Sequence, residues 1–225
     1  MRRAGAAVGL LMSLLAAPVA CAATGTALGV NPAASLESDA FTRTLVVGDD
    51  IAIGDRIVTD AAGLVQVKFD DDTMLVVGPH SALVIEDYLL RADGSAGCFA
   101  IDALSGTFRF VTGNAEKDRY EIGLPSGTIG VRGTAFDFHV APAATRILAY
   151  DGEVVMCAPE QECQPLRANC GVGQIDAASA RRLGPETQNR DSRAFREAFP
   201  FAITQANLLP AFRLDMPRTA CSLND

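Results

Sequence analysis

The chain has 225 residues, of which 49% are hydrophobic, and this is enough apolar material to fill the core of one domain of ordinary size. That composition excludes a disordered protein. The formal net charge of −8 at pH 7 excludes a general electrostatic attraction to nucleic acid or to anionic lipid.

The first 22 residues have the three parts of a secretory signal. Arg2 and Arg3 form the positive region, an uncharged stretch follows from residue 6 to residue 17, and the small residues at 20–22 form a cleavage site. Cleavage after Ala22 predicts a periplasmic or secreted protein. Because it removes two positive charges, it also changes the formal net charge from −8 to −10.

Two alternatives to cleavage stay open. An uncleaved membrane anchor would need a longer and more strongly apolar run than this alanine-rich one. Lipidation of Cys21 would place Pro18 where such signals usually carry leucine. No second apolar run of about 18 residues occurs, so we predict no other membrane-spanning segment.

Five cysteines follow the predicted cleavage site, and three of them lie close together in the stretch CAPEQECQPLRANC. The five are Cys98, Cys157, Cys163, Cys170 and Cys221. In an exported protein this crowding predicts at least one disulfide within Cys157, Cys163 and Cys170, with Cys98 or Cys221 as the other partners. A zinc site is the alternative, but its structural form usually has two to four residues between cysteines.

Residues 23–41 are small, polar and without period, and this predicts a flexible N-terminus. From residue 42 to residue 157 short apolar runs alternate with turn residues, which predicts an all-β unit of about ten short strands. The first clear hairpin is LVQVKFDDDTMLVV, with Asp71 and Asp72 in its turn. The later predicted strands are SALVIEDY, CFAID, GTFRFVT, YEIGL, TIGV, AFDFHV, TRILAY and EVVMC.

Alternation within these strands predicts which side chains are buried. Phe108 and Phe110 flank Arg109, and two further phenylalanines flank Asp137 in the stretch FDFHV. Because side chains alternate across a strand, we expect each strand to have one buried face and one face in water. The phenylalanines are therefore predicted to form the core.

The composition changes after the β unit. Residues 158–175 form a cysteine-rich extension, and residues 176–225 form a tail. A helical period with apolar Phe195, Phe199 and Leu208 runs until prolines interrupt it. We predict a partly helical tail that packs on the β unit, with Cys221 as a candidate staple.

The stretch LPSGTIGVRGTAFDFHV raises the possibility of a phosphate-binding loop around Arg132. Such a loop requires a helix after the glycines, whereas the residues after Gly133 alternate as a strand does. Gly127, Gly130 and Gly133 are therefore predicted to permit bends or close approach between strands. Arg132 is predicted to be a structural residue.

Other patterns give little support for catalysis or metal binding. The two histidines, His80 in a turn and His139 on a strand, have no serine or cysteine nearby in a nucleophile motif. The aspartates at 49–50 and 70–72 are possible calcium ligands, but they are more typical of turns. We predict no catalytic residue, no metal and no cofactor.

Several segments, taken in order, resemble a FecR-type domain. They include a GD-x-I start, the Asp-turn hairpin, a GP-x-S step, the core G-x-h-R-G-T-x-F, in which h is apolar, and the final strand RILAYDGEVVM. In this chain the core holds Gly130, Arg132, Gly133, Thr134 and Phe136, and Gly127 precedes it. The resemblance implies a compact all-β domain, solenoid-like or a twisted sheet or sandwich, in the periplasm.

The same resemblance implies a role in interaction rather than catalysis. Iron-transport regulators of this family carry a cytoplasmic anti-sigma region and a membrane helix ahead of the domain. A predicted signal peptide takes that place here. We therefore do not expect a transmembrane anti-sigma factor.

Our leading hypothesis is a non-catalytic periplasmic binding or scaffold protein that interacts with an envelope protein or a glycan. One alternative is a regulatory component of cell-surface signalling that acts through a separate inner-membrane protein. Another is a hydrolase that uses surface carboxylates on envelope glycan.

Overall fold

The computed structural model describes residues 23–38, 40–90, 96–113, 120–167, 170–184, 187 and 189–214. The predicted signal peptide lies outside these residues and stays a prediction. The described strands are β1 (Ala23–Asn31), β2 (Ala34–Glu37), β3 (Thr42–Thr44), β4 (Asp50–Ala52), β5 (Arg56–Thr59), β6 (Leu64–Phe69), β7 (Met74–Val77), β8 (Ala82–Leu90), β9 (Ala96–Val111), β10 (Tyr120–Leu124), β11 (Gly127–Val140), β12 (Thr145–Cys157), β13 (Gln164–Arg167), β14 (Gly171–Ile175) and β15 (Ala180–Arg182). The described helices are α1 (Arg193–Ala198), α2 (Pro200–Ile203) and a 3-10 helix (Pro210–Phe212).

The fifteen described strands form one open sheet. Its main order is β15-β14-β12-β11-β10-β9-β7-β6-β1-β4, with a branch β8-β5-β2-β3 that starts from β9 and with β13 beside β12. Strands β9 and β10 pair in parallel, and the other pairs are antiparallel. The all-β fold with a short helical tail is thus confirmed.

Three of the ten strands between residues 42 and 157 are long: β9 has 16 residues, β11 has 14 and β12 has 13. Each joins two segments that the sequence predicts as separate strands. Each also changes partners along its length, since the first half of β9 pairs with β8 and β10 and the second half pairs with β7 and β11. This change of partners lets one sheet fold over a core.

The core lies on the inner face of the folded sheet and is almost wholly apolar. Phe108, Phe110, Phe136 and Phe138 are fully buried, as the alternation predicts. The rings of Phe108 and Phe138 stack with centroids 4.9 Å apart. Burial of each such ring contributes about 1.5–3 kcal/mol relative to exposure.

The predicted flexible N-terminus is wrong for residues 23–37. Strand β1 pairs with β6 from Gly25 to Asn31, and Ala27 is fully buried. Gly25 allows this close packing, since a Cβ there would lie 3.0 Å from the backbone carbonyl oxygen of Lys68 and 2.9 Å from the ring of Phe69. Small residues that pack closely resemble a polar linker in sequence.

The predicted boundary at residue 157 does not end the sheet. Strands β13 and β14 both pair with β12, and β15 pairs with β14. The cysteine-rich extension at residues 158–175 therefore contributes two strands to the same sheet.

The segment 189–214, which we call the strap, packs across the outer face of the sheet. Ser192 caps α1 by accepting a hydrogen bond from the backbone N–H of Phe195. The strap contributes five large buried apolar side chains: Phe195, Phe199, Phe201, Leu208 and Phe212. They contact sheet residues such as Val76, Leu148 and Val172, so the predicted packing of the tail is observed.

The prediction that each strand has one face in water is wrong where the strap covers the sheet. Arg109 and Asp137 do point away from the phenylalanine core, but both are fully buried. The strand pattern places them on the outer face, and the tail then covers that face. Among the described residues, no helix is long and apolar enough to cross a membrane.

Candidate binding cleft

A cleft of about 580 Å³ lies between the rim of the sheet and the strap. Its buried part is apolar and is lined by Leu64 and Val140 from the sheet and by Phe201 and Leu208 from the strap. Its exposed part includes Asn31, Ser105, Thr204 and Asn207, which are polar and uncharged. A volume of this size and an apolar interior with a few polar groups are typical of a ligand site.

Both histidines of the chain line this cleft. His139 lies near the end of β11, half-buried, with Nδ1 2.8 Å from Oγ1 of Thr107 on the neighbouring strand. Thr107 is itself fixed, because its backbone N–H donates to Oγ of Ser81 over 2.9 Å. This contact orients the imidazole and leaves Nε2 as its other hydrogen-bonding atom.

Burial lowers the pKa of His139 from its ordinary value, and the positive charge of Arg146 acts in the same direction while Glu197 opposes it. Both the burial and Arg146 therefore favour the neutral form of the imidazole. His80 is exposed in the turn between β7 and β8, as predicted, with φ of 53°. Its backbone N–H donates to the carbonyl of Asp60 over 2.9 Å.

Two charged residues of α1 line the cleft, and each has a partner of opposite charge. Glu197 accepts from Nε of Arg193 over 2.6 Å, and Arg196 lies 3.2 Å from a carboxylate oxygen of Asp191. Both pairs are exposed, so their contribution to stability is small. Because each of the two residues is paired, the strap adds no unpaired charge to the rim of the cleft.

A buried polar network lies beside the cleft, under the strap. Arg109 donates from Nε to Oδ1 of Asp137 over 2.6 Å and from Nη2 to Oδ2 over 3.0 Å. The Tyr150 hydroxyl donates to the same Oδ2 over 2.6 Å, and Nη1 of Arg109 donates to Oε1 of Gln205 from the strap. Every strong donor or acceptor in this group therefore has a partner, which burial of charge requires.

The environment of this network shifts the pKa of its members. Burial raises the pKa of the Asp137 carboxyl, and the charge and hydrogen bonds of Arg109 oppose that rise. Burial and the nearby Asp137 carboxylate raise the pKa of Tyr150 well above 10.0. The phenol is therefore a hydrogen-bond donor across the physiological pH range.

Phe201 connects the network to the cleft. Its ring lies with the centroid 5.6 Å from the guanidinium carbon of Arg109, within the range of a cation–π contact. The same side chain forms part of the apolar interior of the cleft. The buried pair of Arg109 and Asp137 thus supports the wall of the cleft that the strap forms.

The glycine-rich segment forms bends in the sheet. Gly133 has φ of 59°, and Gly152 opposite it has φ of 70°. Register shifts occur between Arg132 and Phe136, where two residues of β11 oppose Gly152. Gly127 has φ of 145° in the turn after β10. Gly130 differs from expectation, since an added Cβ would meet Cβ of Val155 at an ordinary 3.6 Å.

The other residues of the G-x-h-R-G-T-x-F motif lie partly in the interior of the protein and partly on its surface. Phe136 is fully buried, and Thr134 is buried with Oγ1 donating to the carbonyl of Asp151. Arg132 is exposed on β11, directly opposite Glu153. The prediction that Arg132 is a structural residue therefore finds no support in its position, and Arg109 is the buried arginine.

The predicted disulfide in the cysteine-rich segment is confirmed. Cys157 and Cys163 are bonded, with Cα atoms 4.3 Å apart, and close the loop between β12 and β13. Cys170 is buried and is disulfide-bonded as well. Cys221 and the side chain of Cys98 lie outside the described residues.

Of the aspartates considered as calcium ligands, those at 70–72 lie in the turn between β6 and β7, Asp49 lies just before β4, and Asp50 is the first residue of β4. Asp71 is buried and accepts hydrogen bonds from the Tyr120 hydroxyl over 2.7 Å and from Oγ1 of Thr73 over 2.8 Å. Asp49 accepts from the backbone N–H of Val46 and from Arg43. The described residues contain no cluster of three or more metal-ligating side chains.

Sequence reasoning missed both the cleft and the network. The tripeptides FRF and FDF did carry a signal, because each places one charge between two core phenylalanines, and the charges are opposite. The register indeed pairs Arg109 directly with Asp137. By contrast, nothing in the spacing of His80 and His139 indicates that a distant strap encloses them in one cleft.

Comparisons with known proteins give a match to a family model and matches to solved structures. Two crystal structures, at 2.50 and 1.65 Å resolution, of a proposed anti-sigma factor from Parabacteroides distasonis ATCC 8503 are similar to this chain. Their identity is 13%, their TM-scores are 0.45 and 0.44, and the match covers 57% of each chain. At this similarity they carry no argument about function.

None of the curated proteins matches the chain. The family model described as FecR protein matches residues 55–155. The matched range begins one residue before β5 and ends within β12, and it includes the bend at Gly133 and both residues of the buried ion pair. The part of the chain from residue 55 to residue 155 is therefore a FecR-type domain.

Proposed function

We propose that this protein is a non-catalytic periplasmic FecR-type binding or scaffold protein whose partner is a component of the cell envelope. The observation that carries the proposal is the cleft of about 580 Å³ between the domain and its strap. The periplasmic location rests on the predicted signal peptide. The periplasmic location is therefore proposed together with the binding role.

The roles of the polar groups favour binding over catalysis. The buried charged pair, Arg109 and Asp137, lies fully under the strap and out of reach of a ligand in the cleft. A catalytic acid or base must reach the substrate, usually within about 3 Å. The buried pair instead holds Phe201, and thereby one wall of the cleft.

The test is a pull-down from periplasm under native conditions, followed by mass spectrometry. We expect the tagged protein to recover a specific envelope component that an unrelated tagged periplasmic protein does not. Repeated recovery of the same background from both would contradict the proposal. N-terminal sequencing of the purified protein tests its location, and a first residue other than Ala23 would contradict the predicted cleavage.

A regulatory role in cell-surface signalling is the second candidate, and the FecR match favours it. In that case the recovered partner should include an inner-membrane protein that has a cytoplasmic region. Recovery of other envelope components alone would favour the scaffold role.

A further inference from the structure

The distribution of polarity inside the cleft indicates the kind of group that it takes. Apolar side chains line the interior: Leu64, Val140, Phe201 and Leu208 form its floor, and the exposed Pro79 and Pro142 add apolar surface that a ligand can bury. Burial of apolar surface against them is favourable at about 25 cal/mol per Å². The interior therefore fits an apolar side chain.

The rim offers hydrogen bonds without an unbalanced charge. Asn31, Ser105, Thr204 and Asn207 are exposed and uncharged, and Nε2 of His139 lies on a ring that Thr107 orients. The two charged rim residues, Arg196 and Glu197, are paired within the strap. The rim therefore fits a group that is polar, uncharged and able both to donate and to accept.

A peptide segment has both properties. Its backbone amide donates and accepts hydrogen bonds, and its side chains supply apolar groups at fixed spacing. A sugar ring has apolar C–H faces, but hydroxyl groups surround its edge. A ring that entered the interior would bury several of these hydroxyl groups near Leu64 and Phe201 without hydrogen bonds. An anionic lipid would bring a charge that the balanced rim does not match.

We propose that the cleft binds an uncharged, apolar peptide segment of the envelope partner, with an apolar side chain in the interior and a backbone amide at His139 Nε2. This inference rests on the proposed function and names the surface and the chemistry of the partner. The strap supplies half of the apolar interior through Phe201 and Leu208. Docking of the strap is thus a condition for binding.

Ala61 and Ala62 provide a matched pair of variants for the test. Both are exposed neighbours in the turn that follows β5, but only Ala62 lines the cleft. Ala62→Trp places a large side chain at the wall of the cleft, and Ala61→Trp places the same side chain beside it. Equal melting temperatures of the two variants show that both fold.

The probes are the neutral dye N-phenyl-1-naphthylamine, capped peptides with leucine or phenylalanine, and chitotetraose. We expect the dye to bind with a fluorescence increase that the Ala62→Trp variant loses and the Ala61→Trp variant keeps. Capped apolar peptides should displace the dye. His139→Ala should weaken the peptide by about five- to tenfold, as expected for one lost hydrogen bond.

Displacement by chitotetraose but not by the peptides would overturn the peptide assignment. Equal dye binding by the two tryptophan variants would overturn the site. If the periplasmic pull-down recovers a partner with both variants equally, the proposed function stands and this inference fails.

Discussion

Arg109 and Arg132 lie on adjacent long strands of the same sheet, and their environments are opposite. Arg109 is fully buried and binds Asp137 through two nitrogens. Arg132 is exposed. At the scale of a residue, the buried Arg109 is therefore expected to stabilise the fold. Arg132, which lies inside the glycine motif, is not.

Replacement of each arginine by methionine tests this difference. Arg109→Met leaves the Asp137 carboxylate buried without its cation, and we expect a loss of about 3–5 kcal/mol in the free energy of unfolding. Arg132→Met should change it by less than about 0.5 kcal/mol, as exposed substitutions usually do. Urea unfolding measures both values, and a larger loss for Arg132→Met would contradict the assignment.

His139 predicts a dependence of stability on pH. Its pKa in the folded protein is lowered from 6.5, so the unfolded chain takes up a proton at a higher pH than the folded chain does. The neutral histidine therefore contributes stability that is present above about pH 6.5 and is lost as the pH falls toward the folded pKa. His139→Gln removes this contribution.

The measurement is urea unfolding of the wild type and of the His139→Gln variant at several pH values from about 7.5 to 5.5. The difference in unfolding free energy, wild type minus variant, should decrease as the pH falls. A difference that stays constant or increases would show that the histidine is not held neutral by the fold.

At the scale of an element, the long strands β11 and β12 bend together. Gly133 and Gly152 face each other at the register shift, and both have positive φ. On β11, Ile129 and Val131 are buried before the bend, and Phe136 and Phe138 are buried after it. The shift changes which positions face the core, so the strand keeps its apolar side chains inside as the sheet turns.

Gly152→Ala and Gly130→Ala form a matched pair that tests the bend. A Cβ on Gly152 would lie 2.1 Å from the carbonyl oxygen of Gly133, and the residue would keep a positive φ. We expect a loss of at least about 1–3 kcal/mol. Gly130→Ala has ordinary room for its Cβ, so we expect a change within about 1 kcal/mol.

Thermal or urea unfolding of the two variants measures this difference. Equal stability of the Gly130 and Gly152 variants would contradict a structural requirement for the bend. Such a result would mean that β12 relaxes around the added methyl group.

At the scale of the whole molecule, disulfides hold the sheet beyond the FecR-type domain. Non-reducing peptide mapping should find Cys157 linked to Cys163, and Cys170 in a second disulfide. Cys98 and Cys221 are the remaining candidate partners, and the sequence leaves the connectivity open. Recovery of Cys157 and Cys163 as free thiols would contradict both the pairing and the proposed export.

Local pattern predicts those parts of the fold that depend on neighbouring residues. The hairpin around Asp71, the buried phenylalanines and the packing tail follow from alternation, turn residues and apolar period. The burial of Arg109 and the joining of β9 depend on which distant segments meet. Strand β1 was not predicted because its small residues carry no strand pattern of their own. They fit the sheet only because they pack against Phe69 and Gln66 of a distant strand.

The candidate site is predictable from the sequence only in part. His139 is identifiable as a side chain on the outer face of a strand, but its enclosure depends on the strap. The strap in turn is held by Gln205 and Phe201, which contact Arg109 from about a hundred positions away along the chain. The cleft is therefore a property of the assembled molecule.

The central claim is that the cleft between domain and strap binds an envelope partner. Calorimetric titration of the recovered partner into the Ala61→Trp and Ala62→Trp variants tests it most directly. We expect the Ala61→Trp protein to bind as the wild type does and the Ala62→Trp protein to bind at least about tenfold more weakly, a loss of about 1.4 kcal/mol. Equal affinity of the two variants, at equal melting temperature, would contradict the claim.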